Sequence, residues 1–248
     1  MAKKSNNEGL FGLADKNSQS NAFFITLIVG IISIVLLIYF LRRKTVSRRS
    51  ICIVGLCDGG KTRIYSQLIY EKAVETFTSM KENVGTYLVP NKASLTIVDI
   101  PGHERLRQQV FDAYKGSSRG VVFVLDSPAL TNDIRDVAEY LYTILTDKVV
   151  TSNRPAVLVL CNKQDHVRAK GPQVIQSQLE KEMNLLRNTK THQLESISDD
   201  SSRNAVFLGR EGKDFEFADV SSIRIQFSAA SAESGDLDEL EKWLQSVA

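Results

Sequence analysis

The eight residues GLCDGGKT at positions 55–62 restrict the fold of this chain more than any other part of the sequence. They match the pattern GxxxxGK followed by Ser or Thr, and they lie between an apolar run at 50–54 and an amphipathic run at about 61–71, which is the strand-to-helix context that this pattern requires. In such a loop the backbone N–H groups surround phosphates, the lysine contacts the β and γ phosphates, and the final hydroxyl binds Mg²⁺. The predicted phosphate-binding residues are Gly55, Leu56, Cys57, Asp58, Gly59, Gly60, Lys61 and Thr62.

A second motif, DIPGHE at 99–104, follows an apolar run at 94–99. Asp99 is predicted to hold the metal ion, through water. Gly102 can offer its backbone N–H to a γ-phosphate. The segment after Gly102 would then order or relax with the state of that phosphate, so the motif indicates a switch.

A third motif, NKQD at 162–165, follows the apolar run at 156–160. The Asp165 carboxylate can accept hydrogen bonds from the N1–H and the exocyclic amine of guanine. Adenine offers no such pair of donors, so a buried acceptor would be left unpaired by ATP. Lys163 can lie along the base and Asn162 can brace the neighbouring loops. The motif therefore predicts a site for guanine.

The pair Ser228-Ala229 follows the apolar run at 223–227, and the Ala229 N–H is predicted to bond the guanine O6. Each of these motifs is short enough to occur by chance. Together they come in a fixed order, each after a predicted strand, and the carboxyl ends of parallel strands form the usual ligand-binding edge of an α/β sheet. The set predicts one nucleotide site.

From residue 50 onward, short apolar runs alternate with longer amphipathic runs, which favours a mostly parallel six-stranded sheet flanked by helices. The polar stretch 188–204 is predicted to be a flexible loop. Asp236 is the predicted N-cap of the last helix, with Trp243 on its apolar side. The predicted strands are 50–54, 86–89, 94–99, 120–125, 156–160 and 223–227, and the predicted helices are about 61–71, 104–115, 132–146, 173–188 and 236–247.

Residues 22–41, AFFITLIVGIISIVLLIYFL, contain no charge and would span about 30 Å as a helix, so they predict a transmembrane helix. A cleaved signal peptide is the alternative, but its apolar region would be shorter and would end at small residues. The basic residues in 42–49 favour a cytosolic linker, which leaves 1–21 as a short lumenal tail and 50–248 as a cytosolic domain.

Charge and cysteine content restrict the partners. Residues 1–49 carry a net charge of +6, which leaves −4 for the other 199 residues, so direct nucleic-acid binding is not expected of the domain. Cys52, Cys57 and Cys161 show no metal-ligand spacing and suggest neither a zinc site nor a disulfide framework. A thiol at Cys57 in the phosphate loop could be reactive.

These motifs resemble those of the Ras-related small GTPases, on the Arf side, over about residues 48–248. Within that group the chain is similar to the family of signal recognition particle (SRP) receptor beta subunits. The similarity rests on the apolar anchor together with LCDGGKT, PGHERLR, CNKQD, LEKEMNLLR, GKDFEF at 212–217 and DLDELEKWL.

The resemblance implies further site residues. Where the Ras and Arf pattern has a glutamine that orients the attacking water, this chain has His103, the predicted catalytic residue; an exposed loop histidine is the alternative. The first switch would be Thr76, Phe77, Thr78 and Ser79, and either Ser79 or Thr78 would join Thr62 and Asp99 at the metal ion.

The resemblance also implies a GTPase that is intrinsically slow and regulatory, binds GTP or GDP with Mg²⁺, and recruits the receptor alpha subunit to the endoplasmic reticulum membrane for co-translational targeting. Contact with the ribosome or translocon would follow from that role. Two alternatives are an Arf-like trafficking switch and a nucleotide-stabilised scaffold. A permanent membrane helix argues against a switch that cycles on and off membranes.

Overall fold

The computed structural model describes residues 27–36, 48–72, 75–90, 92–196, 207–220 and 222–248. The chain divides into two units, 1–47 and 48–248. In the first unit, residues 27–36 are helical and their side chains are exposed. No helix within the described ranges has the length and apolar character needed to cross a membrane. The predicted tail 1–21, both ends of the predicted span 22–41, and linker residues 42–47 lie outside the described residues.

The second unit is built around a six-stranded sheet with the strand order β2-β3-β1-β4-β5-β6. Strand β2 is antiparallel to β3, and all other neighbours are parallel, which confirms the prediction of a mostly parallel sheet. The strands are β1 Ser50–Val54, β2 Asn83–Tyr87, β3 Leu95–Asp99, β4 Ser118–Asp126, β5 Ala156–Asn162 and β6 Ile225–Ala229. The helices are α1 Lys61–Tyr70, α2 Glu104–Tyr114, α3 Leu130–Thr146, α4 Lys148–Asn153, α5 Pro172–Ser196 and α6 Asp238–Val247, with single 3₁₀ turns at Lys115–Ser117 and Phe217–Asp219.

The central strands are apolar throughout because helices cover both faces of the sheet. Strands β4 and β5 are buried along almost their whole length. Alternate side chains of the strands enter two hydrophobic clusters, one containing Phe123 and Tyr140 and the other containing Ile51 and Trp243. Both clusters lie entirely within 48–248, so this unit contains its complete core.

The structure corrects two sequence predictions about helices. Residues 188–196, predicted as part of a loop, continue α5. This stretch contains no Gly or Pro, and Lys190 pairs with Glu139 of α3, so the helix continues along its neighbour. Residues 197–206, which include the rest of the predicted loop, lie outside the described residues. Helix α6 begins at Asp238 with Leu237 at the N-cap position, so Asp236 is not its cap.

Helix α4 was not predicted, because the six residues KVVTSN include three β-branched side chains and have a weak helical preference. Asp147 compensates as the N-cap: its Oδ1 accepts from the N–H groups of Val149 and Val150 at 2.8 and 3.1 Å. Its Oδ2 accepts from Lys115 Nζ at 2.7 Å. One carboxylate therefore joins α4 to the turn before β4.

We expect Asp147→Ala to lower the free energy of unfolding of the full chain by about 2 kcal/mol, because both the cap and the ion pair are lost. Asp147→Asn should cost only about 1 kcal/mol, because asparagine caps as well as aspartate. Urea denaturation measures both. Asp112→Asn is the matched control, since Asp112 also binds Lys115 but caps no helix. An equal loss for the Ala and Asn variants would contradict the capping role.

The stabilisation that Asp147 provides should depend on pH. Burial raises the pKa of Asp147, but the hydrogen bonds from Lys115 and from the two backbone N–H groups outweigh it and hold the pKa below its usual value. The folded form therefore favours the carboxylate. The contribution of the Asp147 carboxylate to the free energy of unfolding is present above the pKa that this group has in the unfolded chain, about 3.9. It is lost as the pH falls through the pKa of the folded state. The gap between wild type and Asp147→Asn should therefore close in acid.

Candidate nucleotide-binding site

A cavity of about 300 Å³ opens at the carboxyl ends of β1 and β3. Its lining includes most of the predicted phosphate loop and the whole predicted first switch. Phe77 is 89 % exposed at its rim. The lining residues are Cys57, Asp58, Gly60, Lys61, Thr62, Thr76, Phe77, Thr78, Ser79, Ile100, Pro101, Gly102 and Lys163.

Two glycines give the phosphate loop its path. A Cβ on Gly55 would lie 2.1 Å from the carbonyl oxygen of Val124, and a Cβ on Gly60 would lie 2.3 Å from Asn162 Nδ2. Gly60 also has φ +89°, in the left-handed region. No side chain fits at either position without displacing β4 or β5. Leu56 and Gly59 do not line this cavity; with Cys57 they line a second, smaller pocket.

Lys61 is the cation of the cavity. Its side chain is 6 % exposed, and Nζ donates to the carbonyl oxygen of Leu56 at 2.5 Å. Burial lowers the pKa of Lys61, and the nearby carboxylate of Asp99 opposes that effect. Gly102 lies close by, since a Cβ there would be 2.7 Å from Nζ. A buried ammonium that faces an open cavity is suited to an anionic ligand such as a phosphate.

Three oxygen ligands of the kind that Mg²⁺ prefers meet beside Lys61. Thr62 Oγ1 donates to Asp99 Oδ2 at 2.8 Å, and the hydroxyls of Thr62 and Ser79 are 3.0 Å apart. Asn83 Nδ2 also donates to Asp99 Oδ2, at 3.0 Å. Of the two candidate hydroxyls in the first switch, that of Ser79 lies beside Thr62 Oγ1.

Asp99 itself indicates a missing cation. It is fully buried, and its Oδ1 has no hydrogen-bond partner among the described residues. Burial raises the pKa of Asp99, and the hydrogen bonds from Asn83 and Thr62 and the charge of Lys61 oppose the rise. A divalent cation would stabilise the charged carboxylate and satisfy the free oxygen. The residues present therefore fit Mg²⁺.

The NKQD segment is held next to the phosphate loop by Asn162. This side chain is 1 % exposed; its Nδ2 donates to Gly59 O at 2.8 Å and its Oδ1 accepts from the Ala232 N–H at 3.0 Å. Lys163 Nζ contacts Asp126 Oδ2 at 2.5 Å. These contacts bring the loops after β4, β5 and β6 together at the edge where the cavity opens.

Asp165 is exposed, and its Oδ1 accepts from Ser231 Oγ at 2.5 Å. That hydrogen bond holds the pKa of Asp165 below its usual value, so the group is a carboxylate at neutral pH. Its other oxygen, Oδ2, takes no part in that bond. An exposed carboxylate with a fixed orientation is the acceptor that guanine recognition requires.

The predicted pair Ser228-Ala229 does not reach this carboxylate. Both residues belong to β6, where they pair in register with Leu160 and Cys161. The hydroxyl beside Asp165 belongs to Ser231, and Ala232 follows it. The sequence SAASA contains two Ser-Ala pairs, and the strand ends two residues later than predicted, so the second pair is the one at the loop.

His103 is the N-cap of α2. Its Nδ1 accepts from the Arg105 N–H at 3.3 Å, and its side chain is exposed. It follows the lining residue Gly102 but is not itself part of the cavity wall. The structure therefore gives His103 a capping role that neither the catalytic prediction nor the loop alternative included.

Comparison with known proteins identifies relatives along nearly the whole chain. The family model for the signal recognition particle receptor beta subunit matches residues 46–223. The human SRP receptor subunit beta is 38 % identical over 95 % of this chain and 91 % of its own length. The solved structure of the mammalian SRP receptor matches with a TM-score of 0.71 and 41 % identity, covering 81 % of this chain and 100 % of that one.

A more distant structure, the SRP receptor SRb-GTP/SRX complex from Chaetomium thermophilum, has a TM-score of 0.63 at 18 % identity, with coverage of 79 % and 97 %, and shows the same fold. The sheet of six mostly parallel strands has the small GTPase fold, which the Arl6 BBS3 small GTPase from Trypanosoma brucei shares with a TM-score of 0.54 at 17 % identity, over 79 % of this chain and 95 % of that one. On the family match and on the human relative together, this chain belongs to the family of signal recognition particle receptor beta subunits.

Proposed function

We propose that this chain is the membrane-anchored, GTP-binding subunit of an SRP receptor, and that its GTP-bound form recruits the alpha subunit to the endoplasmic reticulum membrane. The observation that carries the nucleotide part is the grouping of Lys61, Thr62, Ser79 and Asp99 around one cavity. Family membership supports the receptor role. Contact with a ribosome or translocon would be a consequence of that role.

In this proposal each residue type has a separate task. The loop N–H groups and Lys61 bind the β and γ phosphates, and Asp165 with Ser231 selects guanine. Thr62, Ser79 and Asp99 would hold Mg²⁺, which would neutralise phosphate charge. His103 orients the attacking water in a slow, regulatory hydrolysis, and Gly102 reports the γ-phosphate to the following segment.

Membrane anchoring is part of the same proposal. The uncharged residues 22–41 are long enough to cross a bilayer once, and the basic residues of 42–49 favour the cytosolic side. The GTPase domain would then be cytosolic and 1–21 lumenal. The receptor family to which the chain belongs supports the endoplasmic reticulum as the membrane.

The second candidate function is an Arf-like trafficking switch, which the small GTPase fold also allows. The two candidate functions differ in whether the protein leaves the membrane after hydrolysis. A cycling switch would be released after hydrolysis, whereas a receptor subunit stays in the membrane and releases its partner. Recovery of the full chain in the membrane fraction with both GDP and a non-hydrolysable GTP analogue would exclude the cycling switch.

Asp165→Asn should lower GTP affinity by at least about tenfold and should favour xanthine nucleotides, because the amide no longer matches the two donors of guanine. Ser231→Ala should weaken GTP binding less, through loss of the bond that orients the carboxylate. Competition binding of GTP and XTP measures both. Ser228→Ala is the matched control and should bind like wild type; a larger loss for Ser228→Ala than for Ser231→Ala would return the base site to the first Ser-Ala pair.

Three variants separate binding from hydrolysis. Thr62→Asn and Lys61→Ala should abolish GTP-dependent binding of the alpha subunit, because metal or phosphate contacts are lost. His103→Ala should keep that binding but reduce single-turnover hydrolysis by about 10²–10⁴-fold at most. His103→Asn is the matched control, because asparagine keeps the helix cap. Hydrolysis that is unchanged in His103→Ala would remove this residue from the mechanism, and partner binding by Thr62→Asn would contradict GTP-gated recruitment.

Topology can be tested in sealed microsomes that contain the full chain. Protease added outside should digest the domain after about residue 42, because the basic linker stays cytosolic. A glycosylation acceptor inserted in 1–21 should be modified, since that tail would be lumenal. Protection of the domain, or carbonate extraction of the whole chain, would contradict the proposed single-pass anchor.

A further inference from the structure

The nucleotide site occupies the carboxyl ends of the parallel strands, and the opposite end of the sheet carries a different kind of surface. Exposed basic side chains stand just before or at the start of almost every parallel strand. They are Arg49, Lys92, Arg119, Arg154 and Arg224, and together with Lys148 at the start of α4 we call them the basic face.

Backbone contacts fix these residues at one end of the sheet. Arg49 O accepts from the Thr96 N–H at 2.9 Å, next to the start of β3, and Arg224 O accepts from the Val157 N–H at 2.8 Å, next to the start of β5. Arg119 is the second residue of β4. Arg48 Nη1 donates to Asn153 O at 2.9 Å, which brings α4 with Lys148 and Arg154 to the same end.

Two of the six cations already have partners, since Lys92 Nζ and Arg119 Nη2 donate to the backbone oxygens of Gln245 and Ala248 at the carboxyl end of α6. Two carboxylates near the basic face, Asp112 and Asp147, are both bound to Lys115, which is not one of the six. Within the described ranges, no ion pair joins Lys148, Arg154 or Arg224 to an acid. Residues 50–248 carry a net charge of −4, so the cations of the basic face stand out against an acidic domain.

Two exposed apolar side chains accompany the cations. Leu88 is 78 % exposed and directly follows Tyr87, which pairs with Leu95 at the start of β3. Val149 is 36 % exposed and follows Lys148 in α4. Surfaces that rest on a bilayer combine basic residues with apolar side chains that enter the headgroup region. Surfaces that track nucleic-acid backbones need no such apolar residues.

Chain length limits how far this face can be from a membrane. Only six residues, 42–47, separate the apolar segment 22–41 from Arg48. At no more than 3.6 Å per residue they reach at most about 22 Å. Three of the six, Arg42, Arg43 and Lys44, are basic as well, so the linker has the same preference for anionic partners as the basic face.

We propose that the basic face binds the anionic phospholipid headgroups of the membrane in which the chain is anchored, and so turns the nucleotide edge of the sheet toward the cytosol. The proposal rests on the anchored function proposed above. The orientation of the domain relative to the membrane would then be set by the basic face as well as by the tether. The carboxyl-end edge, where the first switch is exposed, would then be open to a soluble partner.

The test uses residues 48–248, which contain the complete sheet and both core clusters, in flotation with vesicles at about 0.1 M salt. Binding should require phosphatidylserine at about 30 % and be lost on pure phosphatidylcholine. The variant K148Q/R154Q/R224Q should lower the partition coefficient about 100-fold, since each basic residue near an anionic surface contributes about 1 kcal/mol and 1.4 kcal/mol is tenfold. The matched control R135Q/K181Q/K213Q removes three exposed cations from other surfaces and should bind like wild type.

Equal losses in the two triple variants, or equal binding to phosphatidylcholine vesicles, would overturn the proposal. Displacement from phosphatidylserine vesicles by a structured RNA that binds the domain more tightly would assign the face to RNA instead. GTP affinity, measured on the same preparations, should be identical in all variants because the basic face lies away from the cavity. Vesicle binding without GTP binding would contradict only the proposed nucleotide function, and GTP binding without vesicle binding would contradict only this inference.

Discussion

The site depends on one buried amide. Asn162 stands at the end of β5, donates to the phosphate loop at Gly59 and accepts from the loop after β6 at Ala232. Both partners are backbone groups, so the contact fixes the course of two loops whatever their side chains. Because Gly60 has no Cβ, the amide can approach the loop that closely. Loss of either bond would leave a buried polar group unpaired, at a cost of about 1–3 kcal/mol. The positions of Lys61 and Asp165 relative to each other follow from this junction.

Motif-based reasoning located the strands' carboxyl ends and most of the residues around the cavity. The predicted residues lie together there because the sequence carries glycines, hydroxyls and carboxylates directly after strands, in the pattern that phosphate and metal contacts require. Motif-based reasoning could not choose between Thr78 and Ser79, since the choice depends on how the segment before β2 folds back onto Thr62. It also placed the end of β6 two residues too early, because that end is set by the register of β6 with β5.

The failure to predict helix α4 has a similar cause. Nothing within KVVTSN favours a helix strongly, and α4 forms where Asp147 is held by Lys115, 32 residues earlier in the chain. The part of α5 that was predicted as a loop likewise contacts a neighbouring helix, through Lys190 and Glu139. Local propensity predicts the helices and strands that their own sequence pattern favours. Elements that form through contacts between distant segments cannot be predicted from the local sequence alone.

The three cysteines differ sharply in chemistry. Cys52 and Cys161 are buried in the sheet, where burial raises the pKa of each thiol to about 12, while Cys57 is exposed in the phosphate loop. An alkylating reagent therefore has access to one of the three thiols in the folded chain, that of Cys57. That position lines the cavity. The unmodified protein therefore carries its own reporter group, and the rate of alkylation at a single sulfur measures how much of the cavity a ligand covers.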